Sequence, residues 1–138
     1  MASPFNKFQP FTAAMPNGTH NLATAQLVIL LTPSANPPAA ANALAADLTQ
    51  IPYTNLSSRN IVTTSSTQSS GLYKLICQSL LLTASGAVST FRYVVHANST
   101  AAGTPLISWW DYGADVTLAN TETFNVSLDQ ANGVFSIS

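Results

Sequence analysis

Charge is what this chain has least of. Only 7% of its 138 residues are charged, against about 25% in an ordinary soluble domain. The four basic residues, Lys7, Arg59, Lys74 and Arg92, are scattered. A groove that tracks phosphates needs several clustered Lys or Arg, so no nucleic acid partner is expected. Long apolar runs are missing too. The longest, Leu27 to Leu31, falls far short of the roughly 20 residues that cross a bilayer, so no membrane partner is expected. The opening MASPFNKFQPF lacks the basic segment followed by an apolar one that marks a secretory signal. Cys77 is the single cysteine. It allows no intrachain disulfide, and its apolar surroundings suit a buried thiol acting as a small hydrophobe.

Chemistry-bearing patterns are equally scarce. His20 and His96 lie far apart, and neither has a His, Cys or carboxylate beside it at metal-ligand spacing. No metal and no cofactor are expected. A nucleophile elbow, a glycine-rich phosphate loop and a cysteine redox pair are all missing, and the chain does not look like an enzyme. One carboxylate pair is worth weighing. Asp111 and Asp115 are close enough in sequence for a glycosidase-like arrangement, but each flanks a strand-like run, where aspartate commonly accepts hydrogen bonds from turn amides. Asn17, Asn55, Asn98 and Asn125 match the glycosylation pattern, as chance alone would produce in a chain so rich in Asn, Ser and Thr.

What fills the chain is 46% hydrophobic residues and a large complement of Ser, Thr, Asn and Ala. The surface is therefore polar but nearly uncharged, and a net charge of −1 does little to keep copies apart. Such a surface suits a protein that works assembled against other copies or partners. The size is that of one domain able to bury a core without staples. No internal repeat is present.

The organising stretch is Phe91 to Gly113, FRYVVHANSTAAGTPLISWWDYG. Two strand-like runs, Phe91 to His96 and Leu106 to Tyr112, flank a small-residue loop and predict a central hairpin. Phe91, Tyr93 and Val95 would face one way and Arg92, Val94 and His96 the other, giving a half-buried strand. Earlier in the chain, Phe5, Phe8, Phe11 and Met15 recur at helical spacing between Pro4 and Pro16, which predicts one short helix or arm over residues 1–20. A single domain then covers 21–138. Leu22 to Thr32 reads as a strand buried on both faces. Ala39 to Leu48 is either one weak helical turn or an extended surface loop, and Ile51 to Asn60 a connection. Asn60 to Gln68 is a Thr/Ser-rich strand candidate that suits an edge or a solvent-facing position, and Leu72 to Thr83 a long strand bulged near Gln78. Phe124, Val126 and Leu128 alternate cleanly with polar residues, and Asn132-Gly133 turns into Val134 to Ile137 with Phe135 and Ile137 inward. The sum is an all-β chain, an antiparallel β-sandwich or jelly roll with a short N-terminal helix or arm.

Trp109 and Trp110 are neighbours on one strand and must point to opposite faces. If one fills the core, the other is available for a protein contact or for stacking on a sugar. The candidate contact residues are Phe5, Phe8 and Phe11 of the arm and Arg92, Trp109, Trp110 and Tyr112 of the hairpin.

The succession FRYVV, an Asn-x-Thr-Ala loop, PLI, WWDYG, VTL, ETFNV and GVFSI, together with the opening Phe5-Asn6-Lys7-Phe8, resembles a family of small virion proteins encoded in the structural modules of tailed bacteriophages. The likeness covers most of the chain and fails over Pro33 to Asn60. It departs at His96-Ala97, where a bulkier residue would precede the loop asparagine. The resemblance implies an all-β capsid decoration or cement protein on the outer surface of the capsid of a virion, with the major capsid protein and its own copies, as a homotrimer, for partners. Two other roles stay open: a tail-associated or carbohydrate-binding adhesin module, and a small enzyme using Asp111 and Asp115.

Overall fold

The computed structural model describes residues 4–138. The chain is all-β and antiparallel, with ten strands among the described residues: β1 (Asn6–Lys7), β2 (Leu27–Thr32), β3 (Asn60–Ile61), β4 (Thr63–Ser69), β5 (Leu72–Cys77), β6 (Leu80–Thr83), β7 (Val88–Asn98), β8 (Leu106–Leu118), β9 (Thr123–Val126) and β10 (Phe135–Ile137). One helical turn, α1 (Phe11–Ala14), and a 3₁₀ turn at Ala45–Asp47 complete it. A five-stranded sheet in the order β1-β8-β7-β2-β3 forms one layer. A three-stranded sheet, β10-β5-β4, and the two-stranded sheet β6-β9 lie across from it.

The main core lies between these layers. Leu27, Ile29 and Leu31 of β2, Phe91 and Val94 of β7 and Ile107 of β8 meet Leu75 and Cys77 of β5, Leu82 of β6 and Phe124 and Val126 of β9. Removing this surface from water stabilises the fold by roughly 25 cal/mol per Å². A second cluster covers the opposite face of the large sheet, where Phe8 and the segment around Ala45 and Leu48 close over Val28, Leu30, Val95, Ala97 and Leu106. The buried strand and the central hairpin expected from the pattern are present, but β2 begins only at Leu27, because Asn21 to Ala25 close a turn. β8 runs past Tyr112 to Leu118, so that Asp111 and Asp115 lie within a strand and do not flank one.

Several expectations need correction. The four arm residues do not share a helix. Pro10 caps α1 instead of kinking a longer helix, since a proline at a helix start loses no hydrogen bond. The preceding residues are extended, and β1 pairs with β8 through Asn6 opposite Trp109 and Lys7 opposite Ser108. Extended backbone sends Phe5 and Phe8 to opposite faces. Residue 20 marks no boundary, because the arm supplies a strand of the main sheet; its residues 1–3 lie outside the described residues.

On β7 the pairing shifts register between Phe91 and Tyr93, where β8 carries extra residues around Gly113, so Phe91 shares the core with Val94 and not with Val95. Nor is β7 half-buried. Val94 to Asn98 are all buried, because the second cluster covers the outer face. Leu72 to Thr83 is two strands in two sheets, broken at Gln78-Ser79. Ser79 Oγ accepts the Leu128 amide at 2.9 Å and ties that break to the chain leaving β9. At the C-terminal end Phe135 is half-buried, but Ile137 is 50% exposed and does not point inward as expected. It belongs to the last pair of a terminal strand, opposite Tyr73, and no element covers it.

Gly133 shows how tightly that end is closed. Its φ is +83°, and a Cβ would stand 2.5 Å from the Leu75 carbonyl oxygen, which already accepts the Val134 amide at 2.7 Å. Gly18 has a similar φ of +79° with open space around it. Gly133→Ala is therefore expected to lose about 2 kcal/mol or more, and Gly18→Ala about 1 kcal/mol, in urea unfolding. Equal losses would mean that the Leu75 contact adds nothing to the backbone strain.

Candidate interaction surface

The arm, the central hairpin and the C-terminal strand converge at one end of the sandwich. Because β1 runs beside β8, Phe5 sits edge-on to Trp110 with ring centroids 5.9 Å apart. Phe135 arrives from the other layer on β10. It lies 6.4 Å from Phe5, 5.5 Å from Phe11 and 6.0 Å from Tyr73. Below these rings opens a cleft of about 340 Å³, lined by Phe5, Phe11, Met15, Pro16, Phe135 and Ile137. Lys7 and Thr12 supply its polar rim, where the Lys7 ammonium donates to Thr12 Oγ1 at 2.7 Å.

The surface continues past Phe5. A second groove runs from Phe5 and Trp110 to Ser127, and a third, around Tyr112, Thr123 and Asn125, shares Ser127 with it. Tyr112 is 41% exposed and rests on buried Phe124, ring centroids 5.1 Å apart. Phe5, Trp110 and Tyr112, three of the seven candidate contact residues, thus lie along one continuous band. Trp110 is half-buried, and its inner side packs on the main core.

The other candidates are placed elsewhere. Phe8 is fully buried and meets Trp109 at 4.5 Å on the opposite face of the sheet. Phe11 is buried beneath the cleft. Phe8 is not free to touch a partner, which corrects its assignment as a contact: its ring is consumed in docking the arm on its own domain, while Phe11 can be reached only through the cleft it lines. The two tryptophans do take opposite faces, yet both are half-buried, because Phe8 and the Ala45–Leu48 segment shield Trp109. Arg92 grips Asp111 in a two-bond fork, Nε to Oδ1 at 2.8 Å and Nη2 to Oδ2 at 3.1 Å. The Gly113 amide also donates to Asp111 Oδ1, at 2.8 Å.

These bonds, the Arg92 one foremost, hold the Asp111 carboxyl below its ordinary range. A general acid for glycoside cleavage needs the opposite shift. Among the described residues, no cluster of three or more His, Cys, Asp or Glu is arranged to hold a metal ion. Asn98, one of the glycosylation matches, is buried and fully engaged. Its Oδ1 accepts the Thr100 and Ala101 amides at 3.0 and 3.3 Å, which turns its NH₂ toward His20 Nδ1, 3.1 Å away.

Three parts of the surface escape a reading of local pattern. Lys7, Phe135 and Ile137 reach the cleft only through the pairings of β1 with β8 and of β10 with β5. The period-two placement of Phe135 and Ile137 on one face was visible; that this face opens on a cleft was not. No family model matches the chain, and no curated protein or solved structure matches it.

Proposed function

We propose that this chain is a structural virion protein of a tailed bacteriophage, a decoration or cement subunit on the outer surface of the capsid that holds major capsid proteins together and assembles with its own copies, as a homotrimer. The observation that carries this reading is the aromatic band through Phe5, Trp110 and Tyr112, whose two grooves hold Asp129 and otherwise uncharged side chains. The phage setting comes from the sequence resemblance. Such a band gains free energy when covered and asks for no catalytic group. A partner interface of ordinary size buries about 800 Å² per side, roughly an eighth of the 6820 Å² that the chain exposes. Each copy would act mechanically, its buried contacts opposing the outward pressure of packaged DNA.

Quantitative mass spectrometry of purified virions tests the role. A copy number near that of the major capsid protein is expected, whereas absence from the particle discards the proposal. Phe5→Ala and Tyr112→Ala are expected to fold normally but to decorate undecorated capsids about tenfold more weakly or worse, as befits central aromatic contacts. Unchanged binding by both variants would remove the band from the interface.

One observation favours a second reading. Exposed Tyr112 stands beside the polar side chains of Thr123, Asn125 and Ser127, an arrangement that also suits stacking on a sugar ring. A tail or vertex adhesin would show a few to a few dozen copies per particle, and the isolated subunit would bind saccharide.

A further inference from the structure

We propose that β4 is a self-association edge, at which two copies pair their Thr63–Ser69 strands antiparallel about a two-fold axis at Ser66. The three-stranded sheets of the two copies would then join into one continuous sheet. This contact uses the outer edge of β4, whose Ser66 is tied through Tyr73 of β5 to Phe135 at the cleft, and it does not depend on the virion reading.

The first argument is what this edge lacks. β4 ends the order β10-β5-β4 and is the longest edge strand among the described residues. Proteins guard such edges with lysine, proline, a very short strand or a covering loop. The edges β1 and β3 are two residues long, and β1 carries Lys7. The sequence of β4, TTSSTQS, has no charge and no proline, and its residues are exposed or half-buried throughout. Its one irregularity lies between Thr63 and Ser65, at the start of the strand.

The second argument is which backbone groups face outward. Ser70 and Gly71 have φ of +53° and +80° and form a two-residue hairpin turn closed by the Ser69–Leu72 pair. Residues that flank such a turn exchange hydrogen bonds, and the pattern alternates along an antiparallel ladder. Ser69, Thr67 and Ser65 therefore bond to β5, while Gln68 and Ser66 direct N–H and C=O away from the sheet. A two-fold axis at Ser66 lets the two Ser66 residues exchange both bonds and brings Gln68 of each copy opposite Thr64 of the other.

The third argument identifies the occupant as a second copy. Across this axis Thr, Ser and Gln meet Thr, Ser and Gln, pairs that hydrogen-bond across strands, and no like charges oppose one another. β4 itself carries no charge for a charged partner strand to pair with, and the nearest cation, Lys74, stands one strand away opposite Thr67, whereas a copy of β4 is neutral. The net charge of −1 offers little long-range repulsion between copies. A two-fold contact of this kind is isologous: it closes at two copies in the free chain, and it is a separate contact from the three-fold assembly proposed for the capsid, where it would join one trimer to the next.

Sedimentation equilibrium of the full chain tests the pairing. A strand-edge contact is small, so a dimer with Kd of roughly 10–100 μM is expected. Ser66→Pro removes the outward N–H at a position where an edge strand tolerates proline, and should weaken the dimer at least about tenfold. Ser66→Ala loses the same side-chain bond to Tyr73 Oη, 2.8 Å in this structure, but keeps the N–H and should dimerise like the parent. Should Ser66→Pro fail to fold by circular dichroism, Thr64→Lys/Gln68→Lys sets like charges opposite one another across the axis and should give a monomer. A parent chain still monomeric near 1 mM, or a dimer or trimer that these variants leave intact, overturns the proposal.

Discussion

Acidification from about pH 7 to about pH 4 is expected to cost this chain roughly 3 kcal/mol of folding stability, with His96 as the main cause. His96 is fully buried on the inner face of β7, opposite Ile29 on one side and Ser108 on the other, with the Trp110 ring 6.3 Å away. Neither ring nitrogen has a hydrogen-bond partner among the described residues. Burial, aided by the nearby His20, lowers its pKa to about 4. The unfolded chain takes up a proton near the ordinary histidine value while the folded chain refuses it. Stability is thus complete above about pH 6.5 and falls steadily until the folded pKa, near 4, is reached. His20, lowered by the same burial effect, adds a smaller loss of the same sign. The carboxyls of Asp47, Asp111 and Asp129 are also lowered, each by the hydrogen bonds it accepts, so their stabilisation fades at the acid end, below the ordinary carboxylate range. Urea midpoints measured across this window should show the slope in the parent and lose most of it in His96→Leu. Parallel slopes in the two proteins would sink the assignment.

That histidine also shows where legibility ended. Local periodicity revealed β2, the central hairpin and the alternation of Phe124, Val126 and Leu128, because each pattern repeats within a few residues. His20 comes near enough to influence His96 only because the segment after the arm folds back onto the large sheet beside Asn98, a placement that no spacing encodes. The break between β5 and β6 depends on Ser79 finding the Leu128 backbone, again a distant partner. Ala45 and Leu48 looked too small and sparse to anchor anything, yet they cover the outer face of β2 and β7. The band through Phe5, Trp110 and Tyr112 was half legible: its aromatic residues stood out, but composition could not distinguish the buried ones, Phe8 and Phe11, from the exposed.

Phe8→Ala makes that distinction measurable, and a loss of about 3–5 kcal/mol in the isolated chain is expected. Phe8 has no exposed surface, packs 4.5 Å from Trp109 and plugs the cluster formed by Val28, Leu30, Val95, Ala97 and Leu106. Its amide donates to the Ile107 carbonyl at 3.2 Å, which fixes the backbone and limits how far the arm can settle into the space left by the ring. Such a cavity adds its own penalty to the lost burial. Phe5, only three residues earlier, is 39% exposed and should cost about 1 kcal/mol or less on the same substitution. The contrast carries a consequence for assembly. On the capsid role proposed above, an arm that locks its own sheet through Phe8 holds Phe5 at a fixed position for the partner, so Phe8→Ala should weaken capsid binding through loss of order, whereas Phe5→Ala should weaken it with the fold intact. Urea unfolding of the two variants, run beside the capsid-binding measurement, separates these cases. If Phe8→Ala left stability unchanged, the arm would not be part of the core of its own domain, and Phe8 would return to the list of residues that reach a neighbour.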